Sequence, residues 1–339
     1  GLSLKTCGAP WNINLEISCS QCCQLVQRVL SKIMNLLQKF WDRHVVLLML
    51  TALFWAGNAV AGRIAIDDVS PFLLSFLRWF ILLIFLWTLY WKDIKAAWPQ
   101  LRDRWLYLTL MGGVGLAGFN LVFYKAAHYT TAVNIGILQG SIPLIVLLAA
   151  YLIYHSRITI VQLVGVLVGL AGVIMVAIGG VPGTVKDILF NRGDLMMAAA
   201  CVLYAGYTVG LKSRPAVTGL VVFSVLCLPA ALFSLPFAIF EILSAQVLMP
   251  TATGWYVIAY VVFLPSFLAQ LFYLRSVDLV GPGRTGMFVN LTPVFAACLA
   301  VLLLNESFQL YHGAALLLVL GGLWLSKERA SRKVESTAN

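Results

Sequence analysis

Pairs of uncharged polar or aromatic residues recur at helical spacing inside otherwise apolar stretches. Trp55 and Asn58 lie three residues apart, as do Tyr204 and Tyr207 and also Gln270 and Tyr273, while Asn120 and Tyr124 lie four apart. Three or four residues make about one helical turn, so each pair shares a face. Polar groups are costly in hydrocarbon unless bonded, and they turn toward the interior of a bundle. The set is therefore read as lining one substrate cavity. For any single pair the alternative is bonding between helices. Asn134, Gln139 and Asn290 lie close to Pro143 and Pro293 and are assigned to the same cavity. Each proline lacks an N–H and is expected to kink a helix on the substrate path; the alternative is a kink that serves packing alone. Arg78 lies about a third of the way into an apolar stretch. It is a candidate to hold a carboxylate through a forked hydrogen bond. Snorkelling, or a structural pair with a carbonyl, is the reading the sequence favours for it.

Other chemistries lack their residues. His44, His128, His155 and His312 are scattered, without the spacing of a metalloenzyme, and no serine sits in a GxSxG setting. The glycines at 112, 113, 115 and 118, and at 165, 169 and 172, are followed by no Lys-Ser/Thr pair, which argues against ATP-driven work. They suit close helix packing instead. Cys19 and Cys22 have CxxC spacing but no second ligand pair follows, so no metal is expected. Cys201, Cys227 and Cys298 fall in apolar segments and read as core residues. No catalytic residue and no cofactor are expected.

The elements that position these residues are membrane helices. The chain has 339 residues, of which 61% are hydrophobic and 11% charged. A bilayer core of roughly 30 Å takes about 20 apolar residues to cross. Ten spans are expected, at 45–65, 71–91, 105–126, 131–153, 158–179, 193–212, 217–241, 253–275, 283–304 and 309–326, with loops at 92–104, 180–192 and 242–252. The fold class is all-α integral membrane. The net charge of +10 sits in connections, without the basic stripe and exposed aromatics of a nucleic-acid surface. The partners expected are the lipid bilayer and a small molecule, with no nucleic acid. Monomer and homodimer are both compatible with the sequence. Residues 1–44 form an N-terminal extension. Met34 opens a short basic lead-in and is taken as the biological start, the rival reading being a surface helix that carries Val26, Val29, Leu30, Ile33, Leu37 and Phe40 on one face.

The two halves resemble each other. ALFWAGNAV at 52–60 aligns with CVLYAGYTV at 201–209, an offset of 149, and Pro143 aligns with Pro293 after a one-residue shift. Each half holds five spans. Because five is odd, the second half must enter the membrane inverted, the architecture of secondary transporters with a site at the repeat interface.

The duplicated spans, the WAGN of the first, the FLRW of the second, the paired prolines and the NES closing the ninth resemble the drug/metabolite transporter superfamily, in its ten-helix EamA branch. The resemblance covers about 45–326, as repeats at 45–179 and 193–326 with a basic tail at 327–339. It implies export of amino acids or related metabolites across a cell membrane. One departure is Ser156 in the first half, where Glu306 stands in the second. A lipid flippase or assembly subunit of related fold is the alternative, and a membrane-embedded enzyme a more distant one. The thirteen acids all fall in loops, tails or span ends, so no obligatory proton coupling is expected; Glu306 reads as a cap at a helix junction.

Orientation follows from Lys and Arg. With the N-terminus in the cytoplasm, fifteen lie on inside connections and four, Arg63, Lys125, Lys186 and Arg192, outside. Reporter fusions at Asn339 and near Met249 are therefore expected to report opposite sides; signals from one side would break the ten-span arrangement.

Overall fold

Apolar runs become helices here because every backbone N–H and C=O that enters hydrocarbon must be bonded within its own segment. The computed structural model describes residues 41–155, 159–178, 191–244, 247–280 and 288–326. Cys19, Cys22, the proposed start at Met34, the surface helix, Ser156, most of the 180–192 connection and the 327–339 tail lie outside those residues. The described residues form helices, with no strand among them. Seven are long and apolar enough to cross a membrane: α1 (His44–Asp67), α2 (Pro71–Arg102), α3 (Trp105–Ala127), α4 (Ala132–Tyr154), α6 (Arg192–Ser213), α7 (Gly219–Leu243) and α8 (Ala252–Val280). Three further apolar helices are shorter: α5 (Ile160–Val176), α9 (Thr292–Leu304) and α10 (Leu310–Ser326). Large apolar side chains such as Ile160, Leu310, Leu317 and Trp324 stand exposed, a surface that lipid covers.

Local signals set the helix ends. Pro71 occupies the first turn of α2, where a missing N–H costs nothing. Thr131, Thr159, Asn191 and Thr251 each accept a backbone N–H of the following helix, and Thr159 with Gln162 closes a capping box. Acidic side chains cap across the chain. Glu241 accepts Phe72 N and Leu73 N at 3.1 and 2.9 Å, and Glu306 accepts Ala132 N and Val133 N at 2.9 and 3.0 Å. The carboxylates thus meet the positive ends of α2 and α4.

Two expectations need correction. The loop expected at 92–104 is mostly helix: α2 runs to Arg102 through a kink at Tyr90. Hydropathy ends near Trp91, but Ile94, Ala97 and Leu101 continue a buried stripe while Lys92, Asp93 and Lys95 stay exposed. An amphipathic helix outlives the membrane-spanning run. The prolines, in turn, do not kink continuous helices. α4 is broken at Gly140–Ser141 into Ala132–Gln139 and Ile142–Tyr154, and the turn at Asn290–Leu291 precedes α9 in the same way. Pro143 and Pro293 each sit in the first turn of the segment after the break, where their missing N–H has no intrahelical acceptor to lose. Both segments end on a left-handed residue, His155 and Asn305.

The packing repeats as well. α5 lies against α10, α2 against α7 and α4 against α9, while α1–α8 and α3–α6 are matching contacts when the first five helices are exchanged with the last five. α3 and α8 each contain a widened π-helical stretch, Leu110–Gly118 and Val262–Leu268. The α5–α10 contact is nearly backbone to backbone. A Cβ on Gly165 would stand 2.6 Å from the Gly322 carbonyl oxygen, and one on Gly322 would stand 2.5 Å from that of Gly165. Nothing lies within 4 Å of a Cβ on Gly321. Gly165→Ala is expected to destabilise by about 1–3 kcal/mol, read as a lower melting temperature in detergent, while Gly321→Ala leaves it unchanged or higher.

Candidate functional site

Arg78 projects from the first half of α2 and is only 7% exposed. Among the described residues no carboxylate pairs with it. A bare guanidinium in a low-dielectric interior costs several kcal/mol, roughly, so its environment must supply acceptors. Three do. Arg78 Nη1 donates to Asn58 Oδ1 at 3.0 Å, to Asn120 Oδ1 at 2.9 Å and to the Tyr124 hydroxyl oxygen at 2.6 Å. The Tyr124 hydroxyl passes its own proton to Asn58 Oδ1 at 3.0 Å, and Asn120 Nδ2 is held by the Leu116 carbonyl. The rings of Trp79 and Tyr124 lie 5.5 and 5.9 Å from the guanidinium carbon. Arg78 therefore does not snorkel; it is paired structurally, with the side-chain carbonyls of Asn58 and Asn120 and the hydroxyl of Tyr124.

All three bonds go to Nη1, whose two hydrogens they share. Nη2 enters none of them. Arg78 Nε, Trp79 Nε1, Gln139 Oε1 and Thr292 Oγ1 are buried without a hydrogen-bond partner. Such groups are uncommon in a settled interior. All four belong to the wall of one cavity of about 950 Å³, counted out to its mouth.

That cavity gathers most of the residues singled out in the sequence. Trp55, Asn58, Arg78, Asn120, Gln139, Tyr204, Tyr207, Gln270, Asn290, Pro143 and Pro293 all line it. Three of the set do not. Tyr124 stands behind the wall as a ligand of Arg78. Tyr273 packs on Trp55, ring centroids 5.5 Å apart. Asn134 is drawn away, its amide donating to both oxygens of Asp194 at 3.3 and 3.2 Å. Lining and helix bonding are not exclusive, since Trp55 also donates its indole N–H to the Pro265 carbonyl at 3.1 Å. Proline at 265 lies in the widened stretch of α8, and the indole of α1 meets one of its exposed carbonyls.

Sequence reasoning missed Trp79, Phe119, Phe223, Ser266 and Thr292 on the wall, because an aromatic or hydroxyl residue in an apolar span carries no mark of which face it takes. It also missed Asp194. This acid is 2% exposed in the first turn of α6 and accepts from the Thr130 hydroxyl and from Asn134. Its position three residues after the capping Asn191 was the available signal. Among the described residues no group of three or more His, Cys, Asp or Glu is placed to hold a metal ion.

A bundle of apolar, membrane-spanning helices with a cavity walled by both halves is a membrane protein with the anatomy of a carrier. The profile of the EamA-like transporter family matches it twice, at residues 43–178 and 191–327, and the chain belongs to that family. It is 27% identical over 275 residues to the uncharacterized transporter YetK of Bacillus subtilis (strain 168), covering 80% of this chain and 82% of that protein. A second relative from the same organism, the uncharacterized transporter YyaM, is 28% identical over 223 residues, 63% of this chain and 69% of its own length. An uncharacterized transporter of Archaeoglobus fulgidus is 26% identical over 289 residues, 83% of this chain and 96% of that one. A solved crystal structure superimposes with a TM-score of 0.59 at 22% identity, over 86% of this chain and 98% of its own; that likeness speaks for the fold alone.

Tyr204 contacts the rings of Phe119 and Tyr207 at 5.0 and 5.5 Å, and among the described residues no hydrogen bond holds its hydroxyl. Tyr204→Ala is expected to lower flux per folded molecule several-fold with little loss of yield. Trp55→Ala is expected to lower both, since a bond of roughly 1 kcal/mol to the Pro265 carbonyl goes with it. Flux in liposomes normalised to folded protein checks this; unchanged flux in both variants would make them packing residues.

Proposed function

We propose that the protein is a secondary transporter of ten spans. Repeats at 45–179 and 193–326 cross the membrane in opposite senses, and both termini lie in the cytoplasm of a bacterial cell. It exports a small zwitterionic or uncharged metabolite, such as an amino acid, by alternating access. The observation that carries this reading is the cavity at the meeting of the two broken segments: Gly140 and Pro143 line it from α4, Asn290 from the turn before α9 and Pro293 from the first turn of α9. Breaks in corresponding helices of two halves are what a rocking site between repeats uses. The exchange of matching helix contacts and the doubled family match support the inverted repeat. A largely neutral, aromatic wall with one cation suits an amino acid better than a sugar phosphate, which calls for several basic groups.

The energy source is the substrate's own gradient. Glu306 supports this reading, since its oxygens accept two backbone N–H groups of α4 and lie 3.6 Å from Arg63, the work of a structural cap. A second reading, exchange against protons, is favoured by Asp194, a buried carboxylate whose bonds come from neutral donors. Flux of labelled amino acids in sealed proteoliposomes, with and without an imposed pH gradient, decides between them. The expected result is equal downhill flux in both conditions. Uphill accumulation that needs the gradient, and that disappears in Asp194→Asn or Glu306→Gln, would replace the uncoupled mechanism with proton exchange. Absence of flux for any amino acid, beside scrambling of labelled lipid, would favour a flippase.

A further inference from the structure

We propose, resting on the reading above, that Arg78 makes a carboxylate group a requirement for substrate binding and fixes how the substrate lies: its carboxylate toward α1–α3, its body against Tyr204 and Tyr207 of the second half. The argument begins with charge. Arg78 is the one charged residue of the cavity wall among the described residues, and no carboxylate balances it there. Its neighbours Asn58, Asn120 and Tyr124 are neutral acceptors that engage Nη1 alone. They orient the guanidinium without neutralising it. Nε is buried without a hydrogen-bond partner among the described residues, and an anion entering the cavity meets a cation already placed and already stripped of most of its water. Little reorganisation remains when a carboxylate arrives, the condition under which charge-assisted bonds contribute most.

The second observation is the asymmetry between halves. The 149-residue offset of the repeats sets Cys227 opposite Arg78; helix starts at Pro71 and Gly219, 148 apart, would set Leu226 there instead. Either residue is buried and uncharged. Asn58 corresponds to Tyr207 and Trp55 to Tyr204 by the same offset. The wall thus carries its one cation on the first half, while the second half contributes Tyr204 and Tyr207 at the positions of Trp55 and Asn58. A molecule with one carboxylate and an apolar or aromatic body can pair with that cation in only one orientation. A single guanidinium also limits the anionic charge: a dianion would leave one charge buried and unpaired.

The test uses the whole protein, purified and reconstituted, and four probes that share a phenyl body: L-phenylalanine, 3-phenylpropanoate, L-phenylalaninamide and phenethylamine. Binding is measured by quenching of intrinsic tryptophan fluorescence and by competition for labelled L-phenylalanine. Both carboxylates are expected to bind roughly ten- to a hundred-fold more tightly than the amide and the amine, the size of one charge-assisted bonding pair. Arg78→Gln is expected to abolish that preference, and Arg78→Lys to keep part of it. Should the glutamine variant fold poorly, Asn58→Asp provides an independent reading. It is nearly isosteric, places an internal carboxylate on Arg78 Nη1, and is expected to weaken the two acids at least ten-fold relative to the amine. Equal binding of all four probes, or an acid preference unchanged in Asn58→Asp, would overturn the carboxylate requirement and leave the transporter reading standing. Binding of none of the four by the folded wild-type protein would overturn both.

Discussion

A permanent positive charge inside an apolar bundle constrains everything near it. The fold must either solvate the Arg78 guanidinium or surround it with acceptors. Asn58 on α1 and Asn120 and Tyr124 on α3 do the second. Each is polar at a depth where a polar side chain would otherwise be a defect. The first three helices are thereby fixed in rotation about their axes, because turning any of them by one residue would withdraw an acceptor from a buried cation. The wall of the cavity inherits its geometry from that arrangement.

The second constraint is the backbone. A cavity at membrane depth needs polar groups on its wall, yet a continuous helix keeps its amides to itself. The broken segments at Gly140–Ser141 and Asn290–Leu291 and the widened stretches of α3 and α8 solve this in pairs, one in each half. Away from the cavity the opposite need prevails. Between α5 and α10 the side chains thin out, and Gly165 meets Gly322 with almost nothing between the two backbones. Loose backbone around the cavity and tight backbone at the far contact are set by single residues.

Much of this was legible in the sequence. Helix positions followed from apolar runs, and the shared faces of Trp55–Asn58 and Tyr204–Tyr207 followed from spacing, because both signals are one-dimensional. What stayed hidden needed a partner distant in the chain. Asn134 looked like a cavity residue by position, but Asp194, sixty residues on, holds its amide. Arg78 looked ready to snorkel because its three acceptors are spread over two other helices. Pro143 and Pro293 were visible as interruptions, but whether a proline kinks a helix or opens a new one depends on the residues before it, and Gly140–Ser141 permitted the clean break. The extension of α2 to Arg102 was obscured because loss of hydropathy was read as loss of helix.

The lone guanidinium also bears on how such a chain can be built. The family profile covers it twice, and a half of this kind could in principle act as an identical pair of subunits. Two copies of the first half would bring two arginines to one chamber, facing each other across its axis, and two copies of the second half would bring none. Neither gives a single fixed charge. Joining two unlike halves in one polypeptide removes the symmetry that would otherwise double or delete it. With Arg78 matched by an uncharged turn of α7, the two halves are no longer interchangeable, and each copy of the chamber needs one of each.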